Sequence, residues 1–502
     1  MAFLCLSVLI LAIDDGVLNL ALPSISNEFR ASTSQLQWAI NAYLLAFAAL
    51  LLTMGALGDR FGRKRMFQAG LVIFGISSLG AALSTSMGTL IACRALMGVG
   101  GAVTMPQTLS IIRATFADPK ERAQAIAIWA GVFALGYGIG PVVGGSLLEY
   151  FEWNSVFLLN IPIVIITFAG GKFFIRESRD ESAPGLDLPG LGLSIAGLFL
   201  LVYGIIKAGE QSWTEGSVIV ILSVGAIISA IFAWWETRSD HPMLPMKFFK
   251  NMSFTGANIA MTLAAFGTGA LLFFLSQYLQ SVQGYSPLEA ALRLMPVGVF
   301  AFVSAIVAAP IARAIGVKAP VSLGIFICGG GLFYLSFADT DASYLMILGG
   351  MSLVGVGFGL AWSPAADSVM GSLPASQAGI GSAMDATTQQ VGGALGVAGL
   401  GAIMNGIYLD KIGNLSVLVP LPEEARETIR GSVQGAHIVA GQSPEGISQM
   451  IITGSNDAFT SGMTEAMFIG ATVMAVASLV ALFILPSRIR PAQEQKKEDT
   501  IV

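Results

Sequence analysis

Along the chain, long apolar runs alternate with short polar connectors, and fourteen runs are long enough to be separate elements. They fall near residues 3–24, 36–57, 66–86, 88–112, 123–148 and 155–175, then 189–208 and 217–236. The last six lie near 252–280, 289–311, 319–338, 343–365, 380–405 and 464–486. A helix rises 1.5 Å per residue, so about 20 residues cross the ~30 Å hydrocarbon layer of a bilayer. The runs lack the strict alternation of membrane β-barrel strands. The pattern predicts an all-α polytopic membrane protein whose spans are mostly antiparallel neighbours.

Composition narrows the function classes. Hydrophobic residues make up 54% of the 502 and charged residues 11%, against about 25% charged in soluble domains. So few charges cannot cover a water-facing surface of this size, which excludes a soluble enzyme. The formal charge of −5 gives no reason to expect nucleic acid. Cys5, Cys93 and Cys328 sit inside apolar runs without metal-ligand spacing and read as small apolar residues. Met1 leads almost directly into an apolar run, without the flank and cleavage site of a cleavable signal peptide.

Basic residues give the orientation, because cytoplasmic connections are enriched in Lys and Arg. With the N-terminus in the cytoplasm, 19 of 26 basic residues fall in cytoplasmic segments. Five (Arg30, Lys207, Lys411, Arg426 and Arg430) fall outside, and Arg94 and Arg293 lie in apolar runs. An even span count and this asymmetry predict N-in, C-in topology.

The expected organisation is a six-helix bundle over 1–175, a polar linker over 176–188 and two inserted helices over 189–236. A second linker over 237–251 leads to a six-helix bundle over 252–486, and 487–502 form a cytoplasmic tail. The only large segment outside the membrane is the loop 406–463. Within it Pro422–Ile429 reads as a short amphipathic helix and Asn456 to Ser461 as flexible. A plain connector and a cap over an external opening are both open readings of this loop. A faint repeat supports the two halves: Gly62 and Lys64 after the second span recur at the same spacing as Gly316 and Lys318 after the tenth. Repeated halves around a central site are a common transporter plan.

Ionisable residues inside spans cost about 2.5–3.5 kcal/mol on insertion scales and usually face a cavity or a partner. Asp14, Asp15, Arg94, Arg293 and Asp385 are the main examples. A carboxylate withdrawn from water can bind and release protons near neutrality, and a cationic substrate can compete with the proton for it. Asp14 and Asp385, one in each half, are the favoured coupling or cation-binding pair, with Asp15 close behind. The alternative is that Asp14 or Asp15 pairs with Arg94 and serves packing alone. Adjacent helix positions differ by about 100°, so the sequence leaves open which of the two acids faces the cavity. Arg293 reads as a snorkelling residue near an external helix end, and Asp367, at a cytoplasmic helix end, as either local gating or structure. Trp38, Tyr43, Phe273, Phe274, Tyr278 and Trp362 are candidate stacking surfaces for flat or cationic ligands, and 20 methionines suit an adaptable pocket.

Two Gly-rich segments have their own logic. In Gly55–Arg65 (GALGDRFGRKR), glycines permit a tight turn, and Asp59, Arg60 and Arg63 stand where charge-assisted bonds can latch one conformation. The other reading of the basic cluster is a topology anchor. In the fifth span, Gly136, Gly140 and Gly144 recur every four residues with Gly145 beside them, allowing close helix approach, and Pro141 removes a backbone donor.

On these segments the chain resembles the major facilitator superfamily, specifically its fourteen-helix drug:proton antiporters of the quaternary-ammonium and multidrug type. Gly55–Arg65 matches the loop motif between helices two and three, and Gly136–Gly145 the motif of antiporters. Asp14 to Pro23 is similar to the helix-one signature, and Arg94 to Gly101 to the helix-four motif, whose Arg is linked in that family to proton transfer. Trp38 with Tyr43, Asn160 to Pro162, and Tyr278 to Pro287 extend the match, which runs to about residue 400. The sequence departs at Gly16, where Thr is frequent, and at Asn154 and Ser155. It also departs at Asp385 and Gln389, where many relatives carry Asn and Arg; an acid thus replaces a cation.

The resemblance implies a major facilitator fold, two six-helix bundles plus two extra central helices. It implies a multi-pass protein of the bacterial cytoplasmic membrane that exchanges protons for lipophilic, cationic drugs or antiseptics. The expected partners are the lipid bilayer, small substrates and protons, without nucleic acid, and one chain is expected to act as a monomer. No cofactor is expected, the proton gradient being the energy source; no phosphate-binding loop sequence occurs. Export of an endogenous metabolite or lipid-like compound is the alternative. A membrane enzyme is not supported, since His241 and His437 lie in loops without ligand-like spacing, and a transporter-like scaffold without flux fits the intact motifs less well.

Overall fold

In hydrocarbon every backbone N–H and C=O must find a partner within the protein, and an apolar chain meets that demand as helix. The computed structural model describes residues 1–116, 118–179, 187–240, 242, 246–373, 378–415 and 421–486, apart from some side chains within helices, Asp59 among them. Residues 180–186 of the expected first linker, parts of the second and the tail 487–502 lie outside the described residues. The first six spans are α1 (Ala2–Phe29), α2 (Thr33–Phe61), α3 (Arg63–Ala82), α4 (Met87–Thr115), α5 (Pro119–Tyr150), and α6 (Ser155–Leu158) with α7 (Asn160–Phe174). Two more follow as α8 (Leu188–Glu210) and α9 (Gly216–Glu236).

The second half opens with α10 (Met252–Gln277), prolonged by a π turn over Tyr278–Val282. It continues through α11 (Pro287–Ile315), α12 (Lys318–Leu335), α13 (Tyr344–Gly371) and α14 (Ala378–Gly413). Two short helices, α15 (Glu423–Gly431) and α16 (Val433–Gly441), precede α17 (Glu445–Ile484). Fourteen helices are long and apolar enough to span a membrane, and the described residues contain no strand.

Helix ends follow local chemistry. Ser32 with Gln35, Ser86 with Thr89, and Ser286 with Glu289 form reciprocal capping boxes at the outer starts of α2, α4 and α11. Gly62 (φ 108°) and Gly316 (φ 89°) end α2 and α11 and start the sharp turns into α3 and α12, a conformation open to glycine and costly to other residues. The spacing that linked these two glycines in sequence therefore corresponds to one turn used twice. Packing repeats as well: α1–α5, α2–α4, α3–α4 and α3–α7 in the first half correspond to α10–α14, α11–α13, α12–α13 and α12–α17 in the second. The halves meet through α2 against α14 and α5 against α11.

The inserted pair stands at one of these seams. α8 packs on both α2 and α14, with Trp38 against Phe199 (5.6 Å between ring centres) and Tyr203 (6.1 Å), and Asn405 Nδ2 donating to Gly209 O at 3.1 Å. α9 packs on α8 and leaves Ile219, Val220, Ile227 and Trp234 exposed, as suits a helix facing lipid.

One expectation is corrected. The external segment 406–463 is largely helical: α14 runs on to Gly413, and α17 begins at Glu445. Asn456 to Ser461, read as flexible, lies inside α17. A bilayer-length window sees only the apolar part of that 40-residue helix; its polar start is held by neighbours, with Asn456 Oδ1 2.8 Å from His437 Nε2. The expected amphipathic helix is α15.

The segment lies across the outer ends of both halves. Ser26 and Ser432 approach at 3.3 Å between hydroxyls, Thr33 Oγ1 donates to Gly431 O at 3.3 Å, and Gln434 Nε2 donates to Ser281 Oγ at 2.9 Å. Below it, Gln280 Nε2 donates to Leu20 O (3.1 Å) and Gln37 Nε2 to Val397 O (3.1 Å), while Leu288 N donates to Glu149 Oε2 (3.4 Å). These bonds between halves stand in the outer part of the molecule, so its outer side is closed.

Candidate functional site

The adjacent acids of α1 point to different surroundings. Asp14, 5% exposed, accepts from Arg94 Nη1 at 2.6 Å and from Asn160 Nδ2 at 3.1 Å. Asn160 Nδ2 also reaches Ser78 Oγ (2.9 Å), and Arg94, 1% exposed, donates through Nε to Ala39 O (3.2 Å) and lies 4.4 Å above the Tyr43 ring. Five helices of the first half (α1, α2, α3, α4 and α7) thus meet around one buried ion pair. A buried pair of this kind offsets its desolvation cost only when the remaining hydrogen bonds are supplied, and Asn160 and Ala39 supply them.

Asp15, about 100° further round α1, lines a small cavity between the halves. Its wall from the first half holds Tyr43, Phe47, Met105 and Phe133; from the second, Ala386, Gln389 and Gln390 on α14. Space for water centres is about 10 Å³, room for a single water. Gln390 Nε2 stands 3.4 Å from Asp15 Oδ2 and joins the two halves near mid-membrane. Asp385, one turn before Gln389 on the same helix, has a buried Oδ1 without a hydrogen-bond partner.

The other expected site residues separate clearly. Tyr43 and Gln389 line the cavity, and Asp15 does as well, whereas Asp14 faces the first half's interior. Phe273, Phe274 and Tyr278 are fully buried in packing, and the Tyr278 hydroxyl donates to Asp339 O at 2.5 Å, pinning the outer end of α10. Trp38 turns to α8. Trp362 stacks on Phe358 of its own helix (5.2 Å). Arg293 lies 3.8 Å above the Tyr285 ring at the outer end of α11, an interfacial position. Gln390, Phe47, Phe133 and Met105 are cavity residues that sequence reasoning passed over; Gln390, beside Gln389 and five residues after the intramembrane Asp385, carried the clearest signal.

The Gly motifs place helices rather than ligands. A Cβ on Gly136 would meet Ala12 Cβ at 2.8 Å, on Gly140 Ile13 O at 3.2 Å, and on Gly144 Val17 Cγ1 at 2.6 Å. That stripe seats α5 on α1, and Pro141 Cδ lies 3.3 Å from the Cβ position of Gly16. Gly145 faces the other half: its Cβ would stand 2.6 Å from Ala291 Cβ and 2.9 Å from Pro287 O of α11. In the inner loop motif, Gly55 lies beside Pro106, and Gly58 lies against Gln107, whose Nε2 donates to Met54 O at 2.7 Å. After Gly62, Glu177 accepts from Lys64 N (3.0 Å) and Arg65 N (3.2 Å), placing an anion at the start of α3. Arg63 N donates to Ser178 O (2.9 Å), and Arg60 is exposed beside the Phe61 ring. The Asp59 side chain lies outside the described residues. Among the described residues no group of three metal-ligating side chains assembles.

Comparison with known proteins gives a consistent context. A family model described as Major Facilitator Superfamily matches residues 4–397. The multidrug efflux pump LfrA of Mycolicibacterium smegmatis is 34% identical over 481 residues, covering 96% of this chain and 94% of that one. The tetracenomycin C resistance and export protein of Streptomyces glaucescens is 31% identical (95% and 89% covered), and the methyl viologen resistance protein SmvA of Salmonella typhimurium 32% (89% and 90%). Among solved structures, a bacterial homologue of the human lysosomal transporter Spinster superposes with a TM-score of 0.65 at 18% identity, covering 97% of this chain and 98% of that one. A D-xylose–proton symporter gives 0.61 at 15%, with 97% of each chain covered.

Proposed function

Because the chain belongs to the major facilitator superfamily, we propose that it is a proton-coupled antiporter exporting lipophilic, cationic drugs or antiseptics by alternating access across the bacterial cytoplasmic membrane. The observation that carries this reading is the acid-bearing, aromatic-walled cavity between the halves, whose lining residues include Asp15 and no base. A carboxylate beside ring faces favours an organic cation over an anion. The family relatives named for multidrug efflux, drug resistance and methyl viologen resistance agree with such cargo.

Exchange needs an outer gate that opens in turn with an inner one. The closing bonds of the outer side include long hydroxyl and amide contacts of 3.1–3.4 Å. Asp385, with a buried oxygen lacking a donor, is the group proposed to carry the exchanged proton, and Asp14 with Arg94 to couple that exchange to movement of α1. One charge crossing 100 mV is worth about 2.3 kcal/mol and a tenfold gradient about 1.4 kcal/mol. For a neutral cargo, one proton at roughly 150 mV therefore sustains a gradient of a few hundredfold, whereas a monocation exchanged one for one moves no net charge and its export draws on the pH difference. The path lies within one chain, so a monomer suffices.

Ethidium efflux from energised cells tests the reading, with wild type compared against Asp385→Asn and Asp14→Asn and a protonophore control for each. Efflux that collapses with the protonophore and fails in the variants supports proton-coupled cation export. Efflux that survives both substitutions removes these acids from the coupling. Failure of any dye to move makes export of an endogenous compound the better reading.

A further inference from the structure

We propose that the inserted pair α8–α9 is carried by the second half: α8 stays fixed to α14 through the transport cycle, and α2 slides past it. The inference rests on the alternating-access reading above and goes beyond it, because it assigns the two extra helices to one of the two moving bodies.

The hold on α14 runs through the main chain. The last four carbonyls of a helix have no partner within it, and Gly209 O is among those of α8, which ends at Glu210. Asn405 Nδ2 of α14 donates to it at 3.1 Å, and Asn405 is itself only 5% exposed. A Cβ on Gly209 would stand 2.5 Å from Ala402 Cα and 2.6 Å from Ala402 O, so the two helices touch backbone to backbone at this level. Parting them would strand an amide and a carbonyl away from water.

The contact with α2 is of another kind. Trp38 meets Phe199 and Tyr203 with ring centres 5.6 and 6.1 Å apart and planes tilted by 41° and 42°. Phe199 and Tyr203 stack on each other at 5.9 Å and are 47% and 37% exposed, leaving faces open to acyl chains. Apolar contacts between helices gain little over contacts with lipid tails, whereas a hydrogen bond broken in hydrocarbon has no substitute. Outward opening parts α2 from α14 at their outer ends, where Gln37 Nε2 donates to Val397 O at 3.1 Å. The helix α8 cannot follow both, and the ring contact is the one that yields.

The second inserted helix goes with the first. A Cβ on Gly197 would meet Ser229 Oγ at 2.6 Å, and one on Gly225 would meet Leu201 N at 3.0 Å. At the inner end, Trp235 Nε1 donates to Asp187 Oδ1 at 2.8 Å. Thus α8 and α9 form one closely packed hairpin, suspended from the outer part of α14.

The test places spin labels in pairs on the full-length chain, with Cys5, Cys93 and Cys328 replaced by alanine and dye efflux retained. The labelled positions are Ser212 after α8, Asp410 on α14 and Asn27 on α1, all exposed near the outer side. Distances are read in proteoliposomes with the population shifted between inward-open and outward-open forms by pH and by cargo. The Asp410–Asn27 distance reports opening and is expected to lengthen in the outward-open form. Ser212–Asn27 should lengthen with it, while Ser212–Asp410 keeps one narrow distribution. In Asn405→Ala the Ser212–Asp410 distribution should broaden.

A Ser212–Asn27 distance that holds while Ser212–Asp410 lengthens assigns α8 to the first half and overturns the proposal. Lengthening of both makes the hairpin a third body and overturns it as well. A narrow Ser212–Asp410 distribution in Asn405→Ala overturns the role given to that amide. An Asp410–Asn27 distance that never changes removes the alternating-access reading itself, and this proposal with it.

Discussion

Asp14 Oδ2 and Arg94 Nη1 stand 2.6 Å apart in the sealed interior of the first half, one residue away from an acid on the cavity wall. A span of α1 thus holds two carboxylates in separate settings, one bound within its own half and one facing the seam between halves. Removing one partner of a buried pair leaves an uncompensated charge, a cost of about 3–5 kcal/mol. Arg94→Ala should lower thermal stability in detergent by that order, and adding Asp14→Asn should recover part of the loss. Strictly additive losses in the double variant would show that the two groups do not act as a pair.

Gly145 is where α5 touches the other half. An alanine there would bring its Cβ within 2.6 Å of Ala291 Cβ, and overpacking of this kind costs about 1–3 kcal/mol. Gly145→Ala is expected to push α5 from α11 and shift the protein toward an outward-open form, seen as longer spin-label distances across the outer ends. Gly138→Ala, with nothing within 4 Å of its Cβ, is the control. Equal distances in both variants would count against the contact as a gate.

Gly62 has φ 108°, and a Cβ there would also meet the Glu177 carboxyl at 2.8 Å. Gly62→Ala should cost about 1–2 kcal/mol from backbone strain alone and loosen the α2–α3 turn. Glu177→Gln keeps the backbone and should give a smaller loss. Folded yield and melting temperature decide the order, and a milder effect for Gly62→Ala would be contrary to it.

The spans themselves were readable from sequence because hydrocarbon thickness imposes a length that few other environments demand. The start of α17 was not. Its first turns project beyond the membrane, where polar Asn456 and Asp457 carry no length signal and the stabilising contact comes from His437 on another helix. The choice between Asp14 and Asp15 was hidden for a related reason: it depends on Arg94, 80 residues away in the chain. Trp38 was visible as an aromatic of interest, but its ring is taken up by Phe199 and Tyr203 of an inserted helix. Chemistry-bearing residue types could be picked out one by one, while their facing directions are properties of the assembled helices.

Ser26 and Ser432 offer a direct probe of the outer closure, with hydroxyls 3.3 Å apart. A double Ser26→Cys, Ser432→Cys protein, oxidised, should lose transport and regain it on reduction, while each single variant remains active. Continued transport with the crosslink fully formed would mean that α16 travels with α1 throughout the cycle.

Trp38→Ala should weaken the docking of α8 and lower stability by about 3 kcal/mol or more, the order seen for large aromatic truncations. The relative transport of different cargoes should stay as in wild type. A selective loss of one cargo would return Trp38 to the binding site.

The position of α8 makes the membrane around this protein inequivalent on its two flanks. Where α2 meets α14, a further helix lies across the joint and shields it from acyl chains; where α5 meets α11, the described residues supply no such cover. The bilayer around the protein therefore meets a molecule with a front and a back, one seam covered by α8 and the other bare of such a helix among the described residues.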